Sequence, residues 1–307
     1  MIRAMYFSAT GTTERTVKHL CECLAFGAGK AGEKTEEIEY YDFTSPDKRR
    51  ALEAYFEQVC EKSTEQDVLV VGLPVYAGRL PNLLMKTLNR LPKTEKRVLA
   101  VPLVLFGNRN YDAALNELML LLIEKGCTIL SGGAFVGEHS FSKILAKGRP
   151  DHTDLEELAR WATGINRERV LLMKTPMLDA EQSGMTRACV VQNELLTRAG
   201  GAKTRESLPA YFRPRDKEGN FMDFKPIKPM TTNACINCGI CVSVCPMGAV
   251  SDENYKEVTG TCIKCCACVK KCPVQAKVFT DENFIYHRKD LEQTYVQRAK
   301  VQILLYK

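Results

Sequence analysis

No apolar run in this sequence approaches the ~18 residues that a helix needs to cross a bilayer, so no membrane span is expected. The N-terminus lacks the charged region, apolar stretch and small-residue cleavage site of a secretory signal, which points to a cytoplasmic protein. Basic residues are not clustered. The 43 Lys and Arg against 37 Asp and Glu leave a formal charge of +6, but it is scattered, and no nucleic-acid partner is expected. No GxxxxGK[ST] segment occurs, which excludes a Walker-type phosphate loop. Disorder is excluded as well, because 45% of residues are hydrophobic and 26% charged. A length of 307 residues predicts about two domains.

Cysteine is what the chain has in quantity. Nine of its 14 cysteines fall between Cys235 and Cys272, with only Cys21, Cys23, Cys60, Cys127 and Cys189 elsewhere. Dispersed thiols suit a core or disulfides; clustered ones suit metal. The cluster is also an internal repeat. CINCGICVSVCPMGA at 235 recurs as CIKCCACVKKCPVQA at 262, an offset of 27 residues that superimposes four cysteines, a proline and an alanine. Zinc usually takes two separated pairs of ligands, which fits two tandem runs of four poorly. Cys266 stands where the first half has Gly239 and reads as a bystander thiol.

Ahead of this module, short apolar segments alternate with helical ones. Strands are expected at 2–7, 36–41, 67–73, 97–106 and 128–137, and helices at 12–26, 47–63, 81–90, 112–125 and 153–164. Asp112 is a candidate N-cap, and Thr153 with Glu156 a candidate capping box. Five strands alternating with five helices imply an α/β doubly wound parallel sheet. A further helix is possible at 180–198, and Pro209, Pro214, Pro226 and Pro229 mark an extended connector. That connector carries Leu171, Leu172, Met173, Tyr211, Phe212, Phe221 and Phe224, so it is expected to pack rather than to act as a polar tether. The last segment, LEQTYVQRAKVQILL, reads as a closing helix.

The first strand runs into SATGTT at 8–13 and then into a helix. Backbone N–H groups at a helix start, with the helix dipole behind them, make an anion site. Ser8, Thr10, Thr12 and Thr13 add uncharged donors, and Gly11 permits close approach, which suits a phosphate monoester. GAGKAG at 27–32 matches GxGxxG literally but follows a helix, and is discounted. In an open sheet, ligands sit outside the carboxyl ends of the strands. LPVYAGRLP at 73–81 and FGNRNYD at 106–112 fall at two such ends. GEHSFSKILAKGRPDH at 137–152 falls at a third, where His139 is read as a loop cap ahead of a ligand contact.

Two resemblances follow. SATGTT, with its two flanking loops, resembles the phosphate loop and ring loops of flavodoxins, over residues 1 to about 166. Thr12 stands where flavodoxins often have asparagine. The resemblance implies a flavodoxin-like five-stranded parallel sheet binding FMN through Ser8, Thr10, Gly11, Thr12, Thr13, Pro74, Val75, Tyr76, Ala77, Gly78, Gly107, Asn108, Arg109 and Tyr111. Tyr76 and Tyr111 are then the candidate stacking residues, and Asn108 and Arg109 the candidates for the flavin's polar edge. The two x2, x2, x3 cysteine runs, each closed by proline, resemble those of bacterial two-cluster ferredoxins, a small α+β domain, over about fifty residues. In that motif the fourth cysteine of each run crosses to the other cluster. One [4Fe–4S] cluster is then assigned to Cys235, Cys238, Cys241 and Cys272, and the other to Cys262, Cys265, Cys268 and Cys245.

Together the halves resemble flavodoxin–ferredoxin fusion proteins of anaerobic bacteria. The expected organisation is a flavodoxin-like domain at 1–166, a connector at 167–230, a ferredoxin domain at 231–280 and a C-terminal helical segment at 281–307. Clusters pass single electrons and a flavin one or two, so the resemblance implies electron transfer to a redox protein such as a ferredoxin or an iron–sulfur oxidoreductase. The alternative is an FMN-dependent reductase of a small molecule or bound cofactor, fed through the ferredoxin domain; whether the chain is an enzyme is left open. Each oxidised cluster adds roughly −2 and the phosphate roughly −2, so the loaded protein is close to neutral.

Overall fold

The computed structural model describes residues 1–26, 36–174 and 187–305. The GAGKAG stretch, and residues 180–186 of the helix expected at 180–198, lie outside them.

The strands are β1 (Ile2–Tyr6), β2 (Ile38–Asp42), β3 (Val68–Pro74), β4 (Val98–Phe106), β5 (Cys127–Ile129) and β6 (Gly132–Val136). β1, β4 and β6 are buried at every residue and β3 at all but its last, as expected for apolar runs covered on both faces. The sheet order β2-β1-β3-β4-β6 is wholly parallel. This is the 2-1-3-4-5 order of a flavodoxin-like doubly wound sheet. The expected fifth strand is in two pieces. β5 pairs with Val98–Ala100 of β4 and β6 with Leu103–Phe106. The break falls beside Pro102, which has no N–H to give to a ladder.

Helices cover both faces. On one, α1 (Thr12–Phe26) packs beside the long helix His152–Lys174, burying Val17, Leu20, Leu24, Leu158, Trp161 and Ile165. On the other, helices Leu52–Lys62, Asn82–Asn89 and Ala114–Glu124 bury Phe56, Leu84, Leu88, Leu115 and Leu118. The helix expected at 47–63 divides into Pro46–Arg50 and Leu52–Lys62. Two caps sit elsewhere than the sequence suggested. Asp112 has a left-handed backbone and pairs with Arg109, while Ala113 holds the cap position. Asp151 and Asp154, rather than Thr153 and Glu156, exchange side-chain bonds with each other's backbone N–H, at 3.0 and 3.3 Å.

The C-terminus also differs from expectation. Helix Glu282–Thr294 ends well before the chain does, and Gln302–Leu304 forms β7, antiparallel to β6. An open β6 edge would leave backbone donors and acceptors unpaired beside the core, and an alternating VQILL segment supplies their partners. Trp161 Nε1 donates to Ser131 Oγ at 2.7 Å, and Ser131 Oγ donates to Leu304 O at 2.6 Å, fixing the tail to the sheet.

The connector runs across the helices of one face, from the sheet's amino edge to its carboxyl edge. After helix Arg187–Arg198, Arg205 reaches Glu124 at 2.9 Å and Asn89 at 2.8 Å, and Tyr211 Oη donates to Leu80 O at 2.9 Å. It then leads into the cysteine module, whose halves share a two-stranded ladder, Met230–Thr231 with Lys277–Val278.

Candidate functional site

Two groups of residues meet at the carboxyl edge of the sheet. The first is a pocket of about 480 Å³. Ala9, Thr10, Thr12 and Thr13 line it from the loop after β1, Pro74, Val75 and Tyr76 from that after β3, and Phe106 and Gly107 from that after β4. Gly137, Glu138, His139 and Ser140 close it from the loop after β6. Ser8 is one step back: its Oγ accepts from the Glu14 N–H at 3.0 Å and caps α1, which aims the remaining free N–H groups of that helix start at the pocket. No Lys or Arg lines the pocket among the described residues, so the donors there are hydroxyls and backbone N–H groups.

The loop after β3 turns sharply. Tyr76 and Arg79 exchange backbone bonds of 2.9 and 3.1 Å around Ala77 (φ 51°) and Gly78 (φ 77°), a turn with both central residues left-handed. A Cβ on Gly78 would lie 2.0 Å from Asp112 Oδ2. Ala77 and Gly78 thus shape the pocket without lining it.

The loop after β4 is used differently from the sequence reading. Asn108 does not face the pocket. Its Nδ2 donates to Tyr295 O at 2.7 Å and Gln297 O at 2.9 Å, and its Oδ1 accepts from the Ala299 N–H at 3.0 Å. It therefore holds the C-terminal tail. Arg109 pairs with Asp112 and lies 4.2 Å over the Phe212 ring, while Phe212 N–H donates to Ala77 O at 2.8 Å. Tyr111 packs on Phe106, ring centroids 5.5 Å apart.

His139 was read from the sequence as a loop cap, and it does cap, its Nδ1 accepting from the Phe141 N–H at 3.1 Å. It also lines the pocket. Burial, then the neighbouring His287, Lys270 and Arg109, pushes its pKa down to about 3, so the imidazole is neutral. With Nδ1 accepting, the proton is assigned to Nε2. Glu138 and Ser140 were missed by sequence reasoning. The signal available was position: GEHS follows β6 at the same sheet edge as the other loops.

The second group comprises two cavities in the cysteine module. One, about 330 Å³, is lined by Cys235, Cys238, Cys241 and Cys272; the other, about 380 Å³, by Cys245, Cys262, Cys265 and Cys268, with Cys266. Each set therefore draws three thiols from one half of the repeat and the fourth from the other. Among the described residues no three His, Cys, Asp or Glu side chains converge as they would on a single ion; the thiols instead ring a space. The halves match in backbone as well as in sequence. Asn237, Gly239 and Gly248 are left-handed, and so are Lys264, Cys266 and Gln275, 27 residues on. Ala249 N–H donates to Cys245 Sγ and Ala276 N–H to Cys272 Sγ, both at 3.2 Å. These donors stabilise negative charge on the sulfur.

Cys266 is thus a non-glycine residue in a conformation that glycine holds in the other half, and its side chain is buried. Cys266→Gly is expected to leave the iron content of anaerobically prepared protein unchanged. Loss of iron on assay would make Cys266 a ligand.

Comparison with known proteins agrees with this architecture. Residues 231–251 match the family model described as a 4Fe-4S binding domain. The chain joins a flavodoxin-like fold to a 4Fe-4S binding domain. Among curated proteins nothing matches. Solved structures similar to it include a flavodoxin from the domain Archaea (12% identity, 55% of this chain and 98% of that one, TM-score 0.37). The Megasphaera elsdenii flavodoxin is also similar (14% identity, 53% and 98%, TM-score 0.33), as is a Streptococcus pneumoniae flavodoxin (16% identity, 55% and 97%, TM-score 0.36). At these values the fold assignment rests on the strand order of the chain itself. Among the described residues no helix is long and apolar enough to cross a membrane.

Proposed function

We propose that this chain is an electron-transfer iron–sulfur flavoprotein, with FMN in the pocket at the sheet edge and a [4Fe–4S] cluster in each thiol-lined cavity. The observation that carries the reading is the division of eight thiols into two crossed sets of four, beside a four-loop pocket with uncharged donors at its helix end. The thiol sets fit clusters, since soft thiolates ring a space larger than one ion and receive N–H donors. The pocket fits a phosphate monoester, since a helix start and three threonines supply donors without a cation.

In this reading residues 1–166 bind the flavin, 231–280 hold the clusters, and the connector and tail fix one to the other. When bound, the clusters exchange single electrons and the flavin one or two, so the pair converts between them. The protein's own part is positional. Tyr211, Phe212 and Arg205 hold the connector against the flavin-binding half, and Asn108 and β7 hold the tail. Lys270 meets Glu138 at 3.3 Å and Lys143 meets Gln275 at 2.7 Å, across the two halves. The partner is a one-electron redox protein.

The test is anaerobic. About eight iron and eight sulfide per chain are expected, and zinc in their place would refute the assignment. After rapid reduction of the clusters, flavin reduction is expected at a rate independent of protein concentration. A rate rising linearly with concentration would mean that electrons pass between molecules.

A second reading, reduction of a small molecule or bound cofactor at the flavin, is favoured by His139, a neutral imidazole that lines the pocket. Turnover of a small acceptor that is lost in His139→Ala, with internal electron transfer unchanged, would select it.

A further inference from the structure

We infer that the two thiol sets have fixed places in the electron route: Cys245, Cys262, Cys265 and Cys268 form the inner site, joined to the flavin pocket through Tyr76, and Cys235, Cys238, Cys241 and Cys272 form the outer site, where the partner protein delivers or collects electrons. This rests on the proposed function and adds an order to it.

Tyr76 belongs to both neighbourhoods. It lines the flavin pocket, and with Val75 it packs against an apolar core that contains Cys265 and Ala267 and is also touched by Val244 and Ile263. The opposite side of the same set is clamped as well. Arg49 donates to Thr44 O and to Pro246 O, and its guanidinium lies 5.8 Å over the ring of Phe7, the residue before Ser8. Pro246 directly follows Cys245. The second set is therefore held between the segment after β2, which Arg49 ties to Phe7 at the end of β1, and the loop after β3 that enters the flavin pocket.

The first set faces the other way. Cys238 is exposed, and Ile236 and Val274, both lining that cavity, are 61% and 38% exposed. Cys265, by contrast, is buried. Electron tunnelling falls steeply with distance, so a carrier docks where a cluster edge meets solvent and the flavin is served by the set packed against its pocket. The balance is simple. A reduced iron–sulfur carrier protein loses one electron per encounter at the outer site, and the electron moves to the inner site and on to the pocket. Two encounters, with protons from solvent, reduce the flavin fully.

The test uses the full chain, reconstituted anaerobically, with isotope-labelled tyrosine. Tyr76→Phe identifies the Tyr76 ring signal. In the dithionite-reduced protein, where the fully reduced flavin is not itself paramagnetic, the Tyr76 signal is expected to be broadened by the adjacent cluster. It should stay broadened in Cys238→Ala and sharpen in Cys268→Ala. A sharp Tyr76 signal in the unaltered protein overturns the inference without any cysteine variant. In stopped flow with a reduced two-cluster ferredoxin as donor, Cys238→Ala should slow the concentration-dependent step at least tenfold and leave the internal step intact. Cys268→Ala should abolish flavin reduction. The reverse pattern overturns the order while leaving the proposed function standing. Unchanged flavin reduction in both variants would refute the proposed function itself.

Discussion

Cys245→Ala is expected to remove about half of the bound iron, and the half lost is the cluster whose other three ligands lie 17 to 23 residues further along the chain, at Cys262, Cys265 and Cys268. The reason is the crossing of the two sets. Cys245 ends the first run in sequence but lines the cavity of the second. Its sulfur accepts from the Ala249 N–H at 3.2 Å, which fixes its direction into that cavity. A cluster left with three thiolates and one open corner is exposed to loss of iron. Iron assay combined with low-temperature spectroscopy of the reduced protein would distinguish the two clusters. Loss confined to the set of Cys235, Cys238 and Cys241 would show that the crossing is wrong, and full retention of iron would show that Cys245 is not a ligand.

Much of this was legible in the sequence because the relevant signals are local. Four spaced thiols and a following proline mark each run, and the repeat at an offset of 27 residues shows two copies of it. The strand–hydroxyl–helix order at 2–26 likewise places the hydroxyl-lined end of a pocket, since both the strand ladder and the helix start are decided within a few residues. That the sheet is parallel could be argued too, because buried parallel strands read as continuous apolar runs.

What was not legible is where long-range partners decide the outcome. Asn108 was assigned to a flavin edge on the strength of its loop, yet a tail nearly 190 residues away supplies its partners. Nothing near Asn108 announces this. The tail itself read as helix because LEQT and its neighbours have helical spacing, and the need of the β6 edge for a partner is a property of the folded sheet. The caps at Asp112 and Thr153 failed for a smaller reason. Asp112 is drawn into an ion pair with Arg109, and Asp151 and Asp154 satisfy each other's backbone two residues ahead of the predicted box. His139 shows a third kind of difficulty. One imidazole caps a loop through Nδ1 and also lines the pocket, so a capping role and a place in the pocket wall coexist in one residue.

The phosphate loop yields the second large effect. The double substitution Thr10→Val and Thr12→Val is expected to weaken FMN about 100-fold while changing riboflavin binding less than about threefold. Both threonines line the pocket at the start of α1, and valine keeps their shape while removing two hydroxyl donors. A hydrogen bond to a charged group contributes about 1.5–3 kcal/mol, so two of them amount to about 3 kcal/mol at the lower bound, and each 1.4 kcal/mol is tenfold in affinity. No lysine or arginine lines the pocket among the described residues to make good the loss. Backbone N–H groups at the helix start remain, which limits the effect and keeps the variant able to bind at higher FMN concentration. Riboflavin has no phosphate and touches the other loops, so it serves as the internal control. Titrating the apoprotein with each flavin and following the quenching of flavin fluorescence measures both affinities. Equal weakening of the two would mean that Thr10 and Thr12 shape the pocket rather than hold a phosphate, and the assignment of FMN would fall with it.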